Sequence, residues 1–443
     1  MIAPSKTSLA FLFSLIAMPA LIAQDSAREW QKLNEQVAAL YQAGQYDRAA
    51  AVAREALESA EKQAGPFHTD VGTILENLAL VYDAQGKYGS AEAAFTRALA
   101  IKVREHGKDH ASVAQSLDVM ADFYEAYGKY ERAETIHLRA LATWENIRGR
   151  DHPDVARSLS SLADLYRRKG EHAQAEPLHL RALEIWQKAP TDHRVELATS
   201  LNSLGAVYRR QGRHAEARPL LTRALGILEK AKGEDHPDLA AALNNLAALA
   251  AAQGEMTEAE SLFVRVLGIV EKAHGKNHPD VATSLNNLAE LYKAQRKFDQ
   301  AQPLYTRAIQ IYETTLGKTH RLLARCLNNL AEVHSARGAY DKAEPLFQRA
   351  LAMDQKLLGE GHLSLVKYLN NLGALYEDQG KFTEAEPHYT RALAIAEKAT
   401  GAASLDTAKA LDTLSGLYRA MKRNQEADDL EQRAIRIRAG KHK

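Results

Sequence analysis

Apolar residues recur along this chain at spacings of three and four, the pattern of helices that each bury one face. In ELATSLNSLGAVYRRQ, Leu197, Leu201, Leu204 and Tyr208 fall at intervals of 4, 3 and 4 and predict one such helix. In AEARPLLTRALGILEKAKG, Ala217, Leu221, Ala224, Leu225 and Leu228 predict a second. Between them lies Gly212, a residue that enters the left-handed conformation at low cost and so ends the first helix.

This two-helix pattern repeats. Glycine returns at Gly44, Gly86, Gly128, Gly170, Gly212, Gly254, Gly338 and Gly380, each gap being 42 residues or a multiple of 42. Arg296 fills the missing slot, and Lys422 fills the slot of a tenth repeat. The expected fold is all-α: ten antiparallel helix pairs stacked without insertion over roughly 27–440, within a repeat region of 24–443. A left-handed Arg296 costs about 1–2 kcal/mol, which makes the seventh repeat a candidate hinge. Pro177, Pro219, Pro303, Pro345 and Pro387 are expected in the first turn or so of the second helices, where an amide has no helical partner.

The joints between repeats read DHPD (151–154 and 235–238) or NHPD (277–280). Proline suits the first helical position, and the acid after it complements the positive helix end. Seven histidines share this register: His68, His110, His152, His236, His278, His320 and His362. Neighbours one repeat apart are separated by roughly 15–20 Å of packed helix layers, whereas metal ligands sit about 2 Å from their ion. These histidines are expected as turn or cap residues, and no metal site is expected.

Composition narrows the function. The 57 Lys+Arg balance 56 Asp+Glu, without the basic excess that nucleic acid binding requires. The single Cys326 stands where other repeats carry Ser158, Ser200 and Ser284, and reads as a small packed thiol. Trp144 and Trp186, 42 residues apart in second helices, read as packing residues. Leu9 to Ala23 forms an apolar run after Lys6, the pattern of a signal peptide over 1–23 with cleavage after Ala23. The alternative is retention of that run as an anchor. No GxxxxGK[ST], HExxH, GxSxG or CxxC motif occurs, so neither catalysis nor a cofactor is expected.

The motifs LNNLA, LY, QGKY, AEPL, RAL and HPD combine in SLNNLAELYKAQRKFDQAQPLYTRAI (284–309) and YLNNLGALYEDQGKFTEAEPHYTRAL (368–393). In this combination the chain resembles the tetratricopeptide repeats of kinesin light chains and their bacterial relatives. The resemblance implies a right-handed superhelical solenoid whose first helices line a concave, peptide-binding groove. It bears on fold and mode of binding, not on motor function.

Placed on that groove are Asn202, Asn244, Asn245, Asn286, Asn287, Asn328, Asn329, Asn370 and Asn371. An amide both donates and accepts, which suits an extended peptide backbone. The alternative is that one asparagine of each pair ties neighbouring repeats together. Arg157, Arg167, Arg168, Arg209 and Arg210 make the same face basic in the fourth and fifth repeats. They are read as anchors for an acidic segment, or alternatively as internal partners of Asp118, Asp122 and Glu125. The expected function is an exported, periplasmic or secreted scaffold for a protein or peptide partner. A self-assembling module acting through its ends or convex face is the alternative, and the oligomeric state stays open.

Overall fold

The computed structural model describes residues 29–189 and 193–440. The leader expected at 1–23 lies outside the described residues. Among those described there are twenty α-helices and no strand. The chain divides into an N-terminal body ending at Leu249 and a C-terminal body beginning at Ala250.

The N-terminal body contains α1 (Glu29–Gln42), α2 (Tyr46–Ala64), α3 (Thr69–Ala84), α4 (Tyr88–His106) and α5 (Ala111–Ala126). These are followed by α6 (Tyr130–Arg148), α7 (Pro153–Lys169), α8 (His172–Lys188), α9 (Arg194–Arg210) and α10 (His214–Lys232). A short 3-10 turn, Pro237–Leu239, leads into α11 (Ala240–Ala252), in which the division falls. The C-terminal body continues with α12 (Met256–His274), α13 (Pro279–Ala294), α14 (Phe298–Thr315), α15 (Arg321–Ala336) and α16 (Tyr340–Leu358). It ends with α17 (Leu365–Glu377), α18 (Phe382–Thr400), α19 (Leu405–Ala420) and α20 (Asn424–Gly440). Within each body, odd helices pack on the even helix that follows and on the one before.

Close approach within a pair depends on small residues. Ala79, Ala121 and Ala163 are buried at one register of the odd helices, as are Ala289 and Ala331 in the C-terminal body. Gly205 and Gly373 occupy the same register, where a Cβ would lie 2.6 Å from Leu221 Cδ2 and 2.5 Å from the Tyr389 ring. The even helices contribute a matching series, Ala49 to Ala217 and Ala259 to Ala427 at intervals of 42, every member fully buried.

Six of the seven joint histidines are helix N-caps, and His362 makes the same bond in the turn just before α17. Each Nδ1 accepts the backbone N–H two residues on, at 3.1–3.2 Å. The tenth repeat makes the equivalent cap with Ser404, whose Oγ accepts from Thr407 N at 3.0 Å. A cap of this kind satisfies a donor that has no intrahelical acceptor.

Two turn features depart from expectation. The five helical prolines occupy the sixth position of their helices, not the first turn, so each removes one helical hydrogen bond. A second glycine series closes the even helices: Gly233, for example, has φ 91 and ψ 162, a region reached essentially by glycine alone. Arg296 does adopt a left-handed backbone, with φ 57, and so does Lys422, with φ 62. The Arg296 turn nevertheless keeps its hydrogen bonds, with Lys297 N to Tyr292 O at 2.9 Å. The turn at residue 296 is thus left-handed and hydrogen-bonded.

Arg296→Gly should relieve the cost of a left-handed arginine, less the entropy that glycine loses on folding, for a net gain of about 0.5–1 kcal/mol in urea unfolding. No gain would mean that the arginine turn is unstrained. Burial holds the His362 imidazole below its ordinary value, with Arg321 adding to the effect. Burial does the same to His110, reinforced by His106 and Lys102. A lowered histidine adds stability above its unfolded value of 6.5 and loses it as pH falls through the folded value. The double variant His110→Ser/His362→Ser, which copies the Ser404 cap, should therefore lose less stability between about pH 7 and pH 5 than the parent. Equal losses would remove these two caps from the pH response.

Candidate partner-binding face

The odd helices carry the residues expected to meet a partner, and most of the asparagines among them are engaged with each other. Asn245 Nδ2 donates to Asn202 Oδ1 at 2.9 Å, Asn329 to Asn286 at 3.2 Å, and Asn371 to Asn328 at 2.9 Å. Asn77 and Asn34 form the same rung at 2.8 Å in the first repeats. Each rung runs from the second position of one repeat to the first position of the repeat before it. The tying role given above as the alternative thus holds for Asn202, Asn245, Asn286, Asn328, Asn329 and Asn371. Asn328 and Asn329 show both halves of the pattern, Asn328 accepting from Asn371 in the repeat after and Asn329 donating to Asn286 in the repeat before.

Asn286, Asn328 and Asn329 are only 1, 0 and 1% exposed, which removes them from the face a ligand could reach. Asn244, Asn287 and Asn370 are half-buried. Glu332, which the sequence reading did not single out, organises these amides in the C-terminal body. Its Oε1 accepts from Asn328 at 2.6 Å and from Asn371 at 2.9 Å, and its Oε2 meets Lys293 Nζ at 2.5 Å. Burial pushes its carboxyl up, but Lys293, Lys367 and the Asn328 amide together hold it below the usual carboxylate range.

A second tie was also missed. Tyr124, Tyr166, Tyr292, Tyr376 and Tyr418 donate their hydroxyls to Glu92, Glu134, Glu260, Glu344 and Glu386 on the preceding even helix, at 2.7–3.0 Å. The sequence carries a signal for it. Where Ala250 replaces the tyrosine, residue 218 is Arg, and where His334 replaces it, residue 302 is Gln.

The arginines divide into two groups. Arg157 pairs with Asp154 at 2.9 Å and Arg167 with Asp164 at 2.8 Å, both along their own helix. Arg168 crosses to Glu125 on α5 at 2.7 Å, the internal pairing that the sequence left open. Arg209 and Arg210 on α9 have no acidic partner among the described residues, and the Nε of Arg209 is buried without an acceptor. Burial, with the charges of Arg210 and Arg167, pushes Arg209 below its ordinary value. His172 is lowered in the same way, by burial and then by Arg210 and Arg167. The face shared by α7 and α9 thus carries unneutralised positive charge.

The tetratricopeptide-repeat family pattern matches residues 31–104, 112–188, 157–230, 196–251, 238–314, 280–356 and 364–439. The chain belongs to the tetratricopeptide-repeat family. This tetratricopeptide-repeat protein is similar to BtubC from P. vanneervenii, with 26% identity over 56% of this chain and 91% of that one and a TM-score of 0.42. A kinesin-light-chain repeat protein of Podosopora anserina is 25% identical over 46% of this chain and 98% of its own, with a TM-score of 0.42. A Rap protein complexed with Competence and Sporulation Factor shares the fold, with a TM-score of 0.54 over 84% of this chain and 99% of that one, at 12% identity. No curated protein matches the chain. Among the described residues no helix is long and apolar enough to cross a membrane. The family is one of protein-interaction scaffolds, and no catalytic family is indicated.

Glu332→Ala removes the shared acceptor of two amides and the partner of Lys293. It should cost about 2–3 kcal/mol in urea unfolding, because the donors it leaves behind are partly buried. Arg209→Ala should be neutral or slightly stabilising, since it removes a like-charge contact. The reverse order would contradict the division into tying and free side chains.

Proposed function

We propose that this chain is a protein-interaction scaffold that takes an acidic, extended segment of a partner along the odd helices of the fourth and fifth repeats. Arg209 and Arg210 would be the anchoring cations and Arg167 a third contact. The observation that supports the reading is the uncompensated charge at Arg209 beside Arg210 and Arg167. A guanidinium with no internal carboxylate gains most from a partner's carboxylate, because its own burial has already stripped away part of its water. The neighbouring Arg157 and Arg168 already hold acids, so they would act as the rim of the site.

The similarity to a Rap protein solved with Competence and Sporulation Factor lends the reading a fold that accommodates a bound factor. The choice of ligand must come from this chain's own charges. Export to the periplasm or the medium is part of the proposal and rests on the apolar run Leu9–Ala23. The partner would then be an exported or surface protein.

Fluorescence anisotropy with a labelled poly-glutamate peptide tests the reading. Binding should weaken as salt rises and should fall at least about tenfold in Arg209→Glu/Arg210→Glu, the equivalent of about 1.4 kcal/mol. Equal binding of a neutral peptide, or binding unchanged in the double variant, would overturn the acidic-segment reading.

A further inference from the structure

Core histidines are the departure that neither the fold nor the proposed partner face uses. At one register of the even helices the array carries Phe95, Leu221, Phe263, Tyr305, Phe347 and Tyr389, large side chains packed toward the odd helix. The third and fourth repeats place His137 and His179 there instead, both fully buried, with neither ring nitrogen of either residue hydrogen-bonded. A buried imidazole with two idle nitrogens is an anomaly that asks for a partner.

In the third repeat that partner set is at hand. Asp122 and Glu125 lie three residues apart on α5, and His137 faces them from α6. One ligand atom from each lies within 4.8 Å of the other two. Glu125 Oε2 stands 3.9 Å from His137 Nε2. The other oxygen, Oε1, lies 2.7 Å from Arg168 Nε, an ion pair that places a positive charge beside the cluster. Asp118, one turn before Asp122, is held by Trp144 Nε1 at 2.8 Å and adds a third negative charge. Glu125 is 8% exposed and Asp122 half-buried, so the cluster opens to solvent on the Asp122 side.

We propose that Asp122, Glu125 and His137 form a binding site for a divalent first-row cation of the zinc class, with one imidazole nitrogen and two carboxylate oxygens as ligands and water completing the shell. A mixed nitrogen and oxygen donor set without thiolate suits such ions. Bond lengths of about 2.0–2.2 Å require the present edges to contract by about 1 Å, within the reach of side-chain rotation. Arg168 acts on the carboxylate from behind, as outer-shell partners do.

The fourth repeat supplies the control. His179 has Asp164 in the register of Asp122, but Arg167 stands where Glu125 stands. A guanidinium in place of the second carboxylate leaves no site there.

The test uses the full, tag-free chain, stripped with chelator and titrated with Zn²⁺ by calorimetry and with Co²⁺ by visible absorption. The proposal expects one strong equivalent and the absorption of a low-coordinate cobalt site. Asp122→Asn and Glu125→Gln keep shape and should each weaken Zn²⁺ at least about tenfold. His137→Phe, which copies residues 95, 263 and 347, should abolish the cobalt spectrum. His179→Phe should leave both readouts unchanged. No strong equivalent in the parent chain would overturn the site. So would binding that survives in both Asp122→Asn and Glu125→Gln, because the ion would then sit on other histidines.

Discussion

The structure depends on each helix pair finding cover from the next. A single pair exposes apolar faces that it cannot bury alone, so the repeat is stable only in a stack. The alanine series of the even helices and the Ala or Gly register of the odd helices let backbones approach until those faces meet. Polar groups at that seam must then be satisfied by the neighbouring repeat, since water no longer reaches them. The Tyr–Glu bonds and the asparagine rungs follow from this requirement. Both join consecutive repeats, and both return at the 42-residue period.

The same requirement limits recognition. A side-chain amide that closes a seam is not available to a ligand, and freeing it would cost about 1–3 kcal/mol of unsatisfied hydrogen bonding. Asn328 illustrates the point: it accepts from Asn371 and donates to Glu332 while fully buried. What the array leaves uncommitted is charge. Most acids and bases near the odd helices neutralise each other, and Arg209 with Arg210 is one place where the pairing runs out. On the reading proposed above, recognition falls to long cationic side chains, while the stack keeps the short amides for itself.

Much of this was legible in the sequence because the repeat supplies ten readings of one pattern. Helix pairs, the turn glycines, the left-handed Arg296 and the cap role of the joint histidines all follow from register arithmetic joined to local chemistry. The asparagines were harder. Sequence spacing places Asn286 and Asn287 on one helix, but only the rotation of that helix against its neighbour decides which amide meets Asn329. Glu332 was hidden for a related reason, since its register holds Asp122, Asp164 and Glu290 but also Ala206, Ala248 and Ala374, and so shows no repeat-wide pattern. His137 was visible as a departure from an aromatic or leucine register. Its two carboxylate neighbours emerge only when α5 and α6 are packed together.

Hydrogen–deuterium exchange on the full chain, with and without a poly-glutamate peptide, tests most directly whether the uncommitted charge defines the partner face. The account predicts added protection confined to α7 and α9, around Arg167, Arg209 and Arg210, with α13, α15 and α17 unchanged. Protection centred on the asparagine-bearing helices, with none on α9, would contradict it.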